Sequence, residues 1–138
     1  MDMIAVVVSG SLRKHLGAVQ SVTQEFTELG VAVFSPRIGK PVNPGDDFVV
    51  LDTDETDDPK AIEHRHLEAI RQGRALYVVD PGGYIGLTVA MEIGFAYALG
   101  KKIFVAESPQ DFAVRLFAHE RATVAEVHQW LCSPASSP

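Results

Sequence analysis

Cysteine is almost absent from this sequence: Cys132 is the single one among 138 residues. A lone cysteine excludes an internal disulfide and any cysteine-built metal cluster within the chain. Positive charge is also scarce, with 12 Lys and Arg against 18 Asp and Glu and a net charge of −6. A binder of nucleic-acid polymers or of anionic membranes needs a basic surface to displace counterions, so neither partner is expected. A small anionic ligand stays open, because a few backbone amides make a local positive site on an acidic protein. Long apolar runs are missing too. Ile4 to Val8 is too short for a membrane span or a signal core, and Asp2 stands where a signal peptide carries positive charge. The expected compartment is therefore the cytoplasm. Two motifs are lacking as well: there is no G-x-G-x-x-G dinucleotide fingerprint and no G-x-S-x-G elbow of a serine hydrolase.

What remains is the composition of an ordinary globular domain, with 46% hydrophobic and 22% charged residues. The length suits one domain over residues 1–132, followed by a tail at 133–138 with the composition of a disordered end. Met3 to Val8 is a continuous apolar, β-branched run, as in a strand buried on both faces of a parallel sheet. After Ser9-Gly10-Ser11, the spacing of Leu16, Val19, Val22, Phe26 and Leu29 predicts a helix that Gly30 stops. A second strand is expected at 31–34, giving a βαβ unit with a right-handed crossover. Residues 37–58 read as a long polar loop with seven acidic residues between Asp46 and Asp58, and Phe48 to Leu51 as a small hairpin or edge strand within it. A loop of that length in a compact domain either serves function or is mobile.

Asp58-Pro59 then opens a helix, with Asp as N-cap, Pro at the first helical position, and Ile62, Leu67 and Ile70 as the buried stripe. Ala75 to Val79 is the next buried strand, followed by the glycine-rich turn Asp80 to Gly86 and a helix from about Thr88 to Leu99. A strand at 102–106, a helix opened by Ser108-Pro109-Gln110-Asp111, and a last helix opened by the Thr123…Glu126 capping box complete the order. Such alternation predicts an α/β domain of flavodoxin or Rossmann-like type: an open, mostly parallel sheet with helices on both faces. Ligands of such sheets lie beyond the carboxyl ends of the strands, where strand order reverses.

Three constellations there carry candidate chemistry. Ser9, Gly10, Ser11 and Arg13 join a strand end to a helix start, which aims free amides and the helix dipole at one spot. They form a phosphate or ribose cradle, or an ordinary turn with Ser11 as N-cap. Asp80 follows a buried strand directly, and Gly82 and Gly83 allow a ligand close to the backbone; the plain alternative is a turn Asp bonding its own backbone. Glu92 is the most conspicuous, an ionisable group in the nearly all-apolar run Met91 to Leu99. Such a group is costly unless paired or used, the alternative being a carboxylate favoured by a helix N-terminus. Its Cβ is expected to point back toward the Asp80 turn. No metal site is expected. His64 and His66, two apart on a helix, face different ways, and the acidic loop lacks the mid-loop Gly and terminal Glu of a calcium loop. Phe117 and Trp130 read as anchors of the last helices to the core or to a second subunit.

The start Val8-Ser9-Gly10-Ser11-Leu12-Arg13, the Asp80 turn, and Glu92-Ile93-Gly94-Phe95-Ala96 followed by Gly100-Lys101-Lys102 resemble the nucleoside 2-deoxyribosyltransferase family. That family includes the 2′-deoxynucleoside 5′-monophosphate N-glycosidases, and the likeness runs in order over residues 3–131. It implies a flavodoxin-like fold, a homodimer or larger assembly, no cofactor, and a nucleoside or nucleotide substrate. It further implies cleavage or transfer of the N-glycosidic bond through a ribosyl ester on Glu92, with Asp80 handling the base. The Gly-Ser-x-Arg start is similar to the nucleotide-cleaving branch, where this loop holds the 5′-phosphate. Where transferases of the family carry a sugar-holding acid, often within D-x-G-T, this sequence has Gly86, with Tyr84 and Thr88 the nearest polar groups. Pro81-Gly82-Gly83-Tyr84 is also similar, more loosely, to the P-G-G-x-G-T-x-x-E motif of cytokinin-activating phosphoribohydrolases. A non-catalytic nucleotide sensor on the same scaffold is the alternative.

Overall fold

The computed structural model describes residues 4–133. Four strands, β1 (Ala5–Gly10), β2 (Ala32–Val33), β3 (Ala75–Val79) and β4 (Lys102–Val105), form one sheet in the order β2-β1-β3-β4. Every pairing is parallel. The helices are α1 (Leu12–Glu28), α2 (Pro59–Gln72), α3 (Leu87–Ala98), α4 (Phe112–Phe117) and α5 (Val124–Cys132). This is the expected doubly wound α/β architecture.

The two-residue period of the strands splits their side chains between two cores. Val6, Val8, Ala75, Tyr77, Val79 and Phe104 pack with Val19 and Phe26 of α1 and with Val124, Val127 and Leu131 of α5. Val7, Leu76, Val78, Ile103 and Val105 pack instead with Ala69 and Ile70 of α2 and with Val89, Ile93 and Ala96 of α3. Apolar residues on both faces explain why these strands read as unbroken hydrophobic runs. The chain moves one way from β1 to β2 and the other way from β2 through β3 to β4. With crossovers of one hand, reversal of direction puts α1 on the face opposite α2 and α3.

Several boundaries differ from expectation. β1 runs on through Ser9 and Gly10, because both stay in register with Val78 and Val79 of β3. β2 keeps only two residues, since it pairs with β1 alone and only at Ala5 and Val6. α4 is capped by Asp111, whose carboxylate accepts from the Val114 amide at 2.9 Å, rather than by Ser108. Thr123 and Glu126 form the expected reciprocal capping box on α5. The expected tail lies, beyond Ser133, outside the described residues. Trp130 packs edge-on against Phe104 in the core, whereas Phe117 stays half exposed beside Tyr97.

Gly10 fixes how closely α1 rests on the sheet. A Cβ there would stand 2.7 Å from Val19 Cγ2 and 2.9 Å from the Val79 carbonyl oxygen. Gly10→Ala is therefore expected to destabilise the fold by about 1–3 kcal/mol, the usual cost of overpacking, as measured by urea unfolding. An unchanged midpoint would mean that the helix relaxes away freely.

Candidate functional site

Strand order reverses between β1 and β3, so the crevice belongs beyond their carboxyl ends. A cavity of about 390 Å³ lies there, within the roughly 300–1,000 Å³ of small-molecule sites. Its floor is the end of β1, and its walls come from Ser35 to Arg37, from α2, and from the start of α3. The loop 37–58 closes one side with Asp47, Phe48, Val49, Leu51 and Asp54. That loop is held by its own hydrogen bonds. The Asn43 side chain bridges the Phe48 carbonyl and the Val50 amide at 2.7 and 2.8 Å, and Val42 donates to Val50 at 2.9 Å. An antiparallel bridge between Pro41 and Leu51 is what becomes of the expected hairpin.

Glu92 sits on the second turn of α3 and is 5% exposed. Its neighbours come from β1 and α2. Strand alternation puts Ser9 on the same sheet face as Val7, toward α2 and α3, and it is fully buried. The Ser9 hydroxyl is hydrogen-bonded to His66 Nε2 at 3.0 Å, and Ser35 Oγ to His66 Nδ1 at 2.6 Å. The same Nε2 stands 3.4 Å from Glu92 Oε1. The imidazole is thus clamped at both nitrogens beside the carboxylate. Glu63, one turn before His66 on α2, is hydrogen-bonded to Glu92 and lines the cavity, and its Oε2 is buried without a partner.

The two carboxyls divide one proton between them. Burial pushes Glu63 up, and its hydrogen bond to Glu92 and the Glu92 charge push it further, to about 9. For Glu92, burial also favours the neutral acid. The His66 charge and hydrogen bonds from His66, Glu63 and Ser9 together outweigh it and hold Glu92 below the usual carboxylate range. At neutral pH the site therefore presents an ionised Glu92 beside a protonated Glu63.

Ser9, Gly10, Ser11, Arg13, Tyr84, Gly86 and Thr88 all line this cavity together with Glu92. Ser11 is the N-cap of α1, its hydroxyl accepting from the Lys14 amide at 3.2 Å, so its side chain also has a structural task. Arg13 is exposed at the mouth, and Arg37 and Arg65 join it on the lining. Tyr84 is held by an edge contact from His15 and by Lys14 Nζ, 4.0 Å above its ring. Gly86 caps α3, and a Cβ on it would meet the Tyr84 hydroxyl at 3.3 Å.

Asp80 and Gly83 are not among the residues that line this cavity. Asp80 is fully buried, and its Oδ1 accepts from the Glu107 amide at 2.9 Å, tying the end of β3 to the segment after β4. Gly83 backs onto that same segment, and a Cβ there would lie 2.5 Å from the Ser108 carbonyl oxygen. Glu92 meets His66 of α2, while of the turn before α3 it shares the cavity with Tyr84 and Gly86 and not with Asp80. Sequence reading missed Glu63 and passed over His66. The available signal was that His66 falls four residues after Ile62 and four before Ile70, inside the apolar stripe of α2, with Glu63 three residues earlier on the same side. His64 is exposed beside Glu68 and points away, as its spacing requires.

Among the described residues no group of three or more His, Cys, Asp or Glu side chains is arranged to hold a metal. Nor is any helix among them long and apolar enough to cross a membrane.

The class defined by sheet order and site position is the Rossmann-like α/β fold with its site at the strand ends. Protein-family models and curated proteins yield no match to the sequence. Solved structures do. The fold is similar to that of the Clostridium botulinum CMP N-glycosidase BcmB, with a TM-score of 0.53 and 15% identity over 92% of this chain and 97% of that one. It is likewise similar to a conserved protein from Enterococcus faecalis V583, with a TM-score of 0.56 and 19% identity over 91% of this chain and 85% of the other.

Burial, only partly offset by the Glu107 amide, raises the Asp80 carboxyl to about 6 from its ordinary 3.8. Between those values the native state binds more protons than the unfolded chain, so this group's contribution to stability is full below the lower value and is lost as pH rises through the upper one. Asp80→Asn keeps the Oδ1 acceptor and cannot ionise. Relative to wild type it is expected to gain about 2–3 kcal/mol between about pH 4 and pH 7.5, read from denaturant unfolding of both proteins. The same difference at both pH values would clear Asp80 of that dependence.

Proposed function

We propose that this protein breaks the N-glycosidic bond of a nucleoside 5′-monophosphate, with Glu92 as the nucleophile at C1′. The observation that carries this reading is a buried carboxylate kept ionised by His66 at the edge of a nucleotide-sized cavity. As the base departs, C1′ develops oxocarbenium charge, which an ionised carboxylate at that position stabilises and then traps as a ribosyl ester. Water, or a second base in a transfer reaction, releases the sugar from the ester. Low dielectric around Glu92 strengthens its attraction for that charge beyond what the same group exerts in water.

Recognition of a phosphate follows from the other end of the cavity. The first turn of α1 offers free amides beside Arg13, with Arg37 and Arg65 near by. These cations stand out on a chain of net charge −6. The likeness of residues 3–131 to the nucleoside 2-deoxyribosyltransferase family and the fold shared with a CMP N-glycosidase both support this reading. A homodimer belongs to it too. Leu87, Met91, Gly94 and Ala98 recur at helical spacing on the exposed side of α3, with Leu87 93% exposed, and a second copy would bury that stripe.

Glu92→Gln keeps the side-chain shape and removes the charge. It is expected to lower base release from a responsive nucleotide, found by screening nucleosides and monophosphates, by at least about a thousandfold. Mass spectrometry of the quenched wild-type reaction should find the ribosyl adduct on Glu92. Near wild-type turnover, or an adduct elsewhere, would remove Glu92 from this role. Thermal-shift binding without release of any base would point to the sensor reading instead. Arg13→Ala is expected to weaken monophosphate binding by about 1.5–3 kcal/mol and leave the matching nucleoside nearly unaffected. Equal losses for the two ligands would make the Arg13 turn structural. Light scattering is expected to give twice the 15.0 kDa chain mass; a monomer at micromolar concentration would count against the dimer.

A further inference from the structure

A nucleotide carries its base on one face of the sugar ring, and a nucleophile that displaces the base reaches C1′ from the other face. Glu63 is hydrogen-bonded to Glu92 and lines the same cavity, so it belongs to the nucleophile's side, away from the departing base. What a ribose presents to that side, next to C1′, is its 2′-hydroxyl. A 2-deoxyribose presents only hydrogen there. Resting on the N-glycosidase reading, we propose that Glu63 accepts a hydrogen bond from the 2′-hydroxyl and so selects ribonucleotides over 2′-deoxyribonucleotides.

The hydrogen bonds of the cluster leave this acceptor open. Ser9 and Ser35 occupy both ring nitrogens of His66. Glu92 is engaged by His66, Glu63 and Ser9. The one proton of the Glu63 carboxyl lies in its bond to Glu92, which leaves Glu63 with acceptor capacity and nothing further to donate. Among the described residues no group donates to its buried Oε2. A buried acceptor without a donor is unfavourable, and a sugar hydroxyl is the donor that a nucleotide brings to this place.

The protonation state agrees with this role. Burial first, and then the bond to Glu92 and its charge, raise Glu63 to about 9, so at neutral pH it is uncharged. It therefore meets the sugar as a neutral acceptor and sets no second negative charge beside Glu92. The contact also acts on rate. As C1′ gains positive charge the neighbouring 2′-hydroxyl becomes a better donor, and its hydrogen bond strengthens in the transition state. A ribonucleotide thus gains more from Glu63 while its base is leaving than when it first binds.

The test uses four 5′-monophosphates of each of adenine, guanine, cytosine and uracil: the ribo, 2′-deoxy, 3′-deoxy and arabino forms. The arabino form keeps a 2′-hydroxyl, with its electron withdrawal, but turns it to the base's face. The readout is the ratio of kcat/KM for the ribo form to that for each other form, which a general loss of activity does not move. Glu63→Leu is expected to lower the ribo to 2′-deoxy and the ribo to arabino ratios by about tenfold to a hundredfold, the worth of a buried hydrogen bond to a substrate hydroxyl. Glu63→Gln should keep both ratios within about threefold of wild type, because its amide donates to Glu92 and its carbonyl still accepts. Ratios unchanged in Glu63→Leu, ratios lost equally in Glu63→Gln, or a change confined to the ribo to 3′-deoxy ratio would each overturn the assignment. Should Glu63→Leu not fold, the wild-type protein and Glu63→Gln still decide it: a wild-type ribo to arabino ratio near one overturns the proposal. Release of base from none of these nucleotides by wild type fails the N-glycosidase reading itself, whereas release with unaltered ratios fails this role of Glu63 alone.

Discussion

The site depends on one interaction, the contact between His66 and Glu92. A carboxylate as buried as Glu92 is neutral by default, since removing its charge from water costs several kcal/mol. His66 reverses that default, and Ser9 and Ser35 hold the imidazole in place. The clamp draws on three parts of the chain: the end of β1, the segment after β2, and α2. None of them alone makes a charged site. Folding brings them together at the point where strand order reverses, and the charge on Glu92 is one product of that assembly.

The fold was legible because a parallel sheet buried on both faces leaves unbroken apolar runs, and glycine or proline marked most of the turns between them. Glu92 was legible for a related reason: in Met91 to Leu99 an ionisable residue has no polar background to hide in. The opposite holds for Glu63 and His66. The stretch Glu63 to Glu68 contains five charged or titratable residues in six, so neither stands out by composition, and only the register of the buried stripe marks His66. The surroundings of Asp80 were not legible, for a geometric reason. A carboxylate at the end of a strand can turn toward a ligand or toward the neighbouring strand, and sequence does not say which. Here the Glu107 amide beyond β4 takes it.

Division of labour between the two sheet faces follows from the same topology. α1 contributes Leu12 and Arg13 to the cavity from one face, while α2 and α3 contribute Glu63, His66 and Glu92 from the other. A ligand spanning the cavity would touch both layers across the strand termini. Holding such a ligand on one layer fixes the distance at which it meets the carboxylates of the other, a form of positioning that lowers the entropy cost of reaction.

The pleat of β1 ties stability to chemistry in a way that substitutions elsewhere do not. Ser9 points to the ionisable cluster and Gly10 to Val19 of α1, on opposite sides of the same strand. A one-residue deletion just before Ser9 would bring Gly10 beneath His66 and Ser11 into the place of Gly10. The hydroxyl that holds the imidazole would be lost, and another would be driven into the α1 packing contact. Such a lesion cannot yield a well-folded but inert protein, because misplacing one residue misplaces the other. Changes on α2 are under no such bond, and that helix is where the two properties can diverge over evolutionary time.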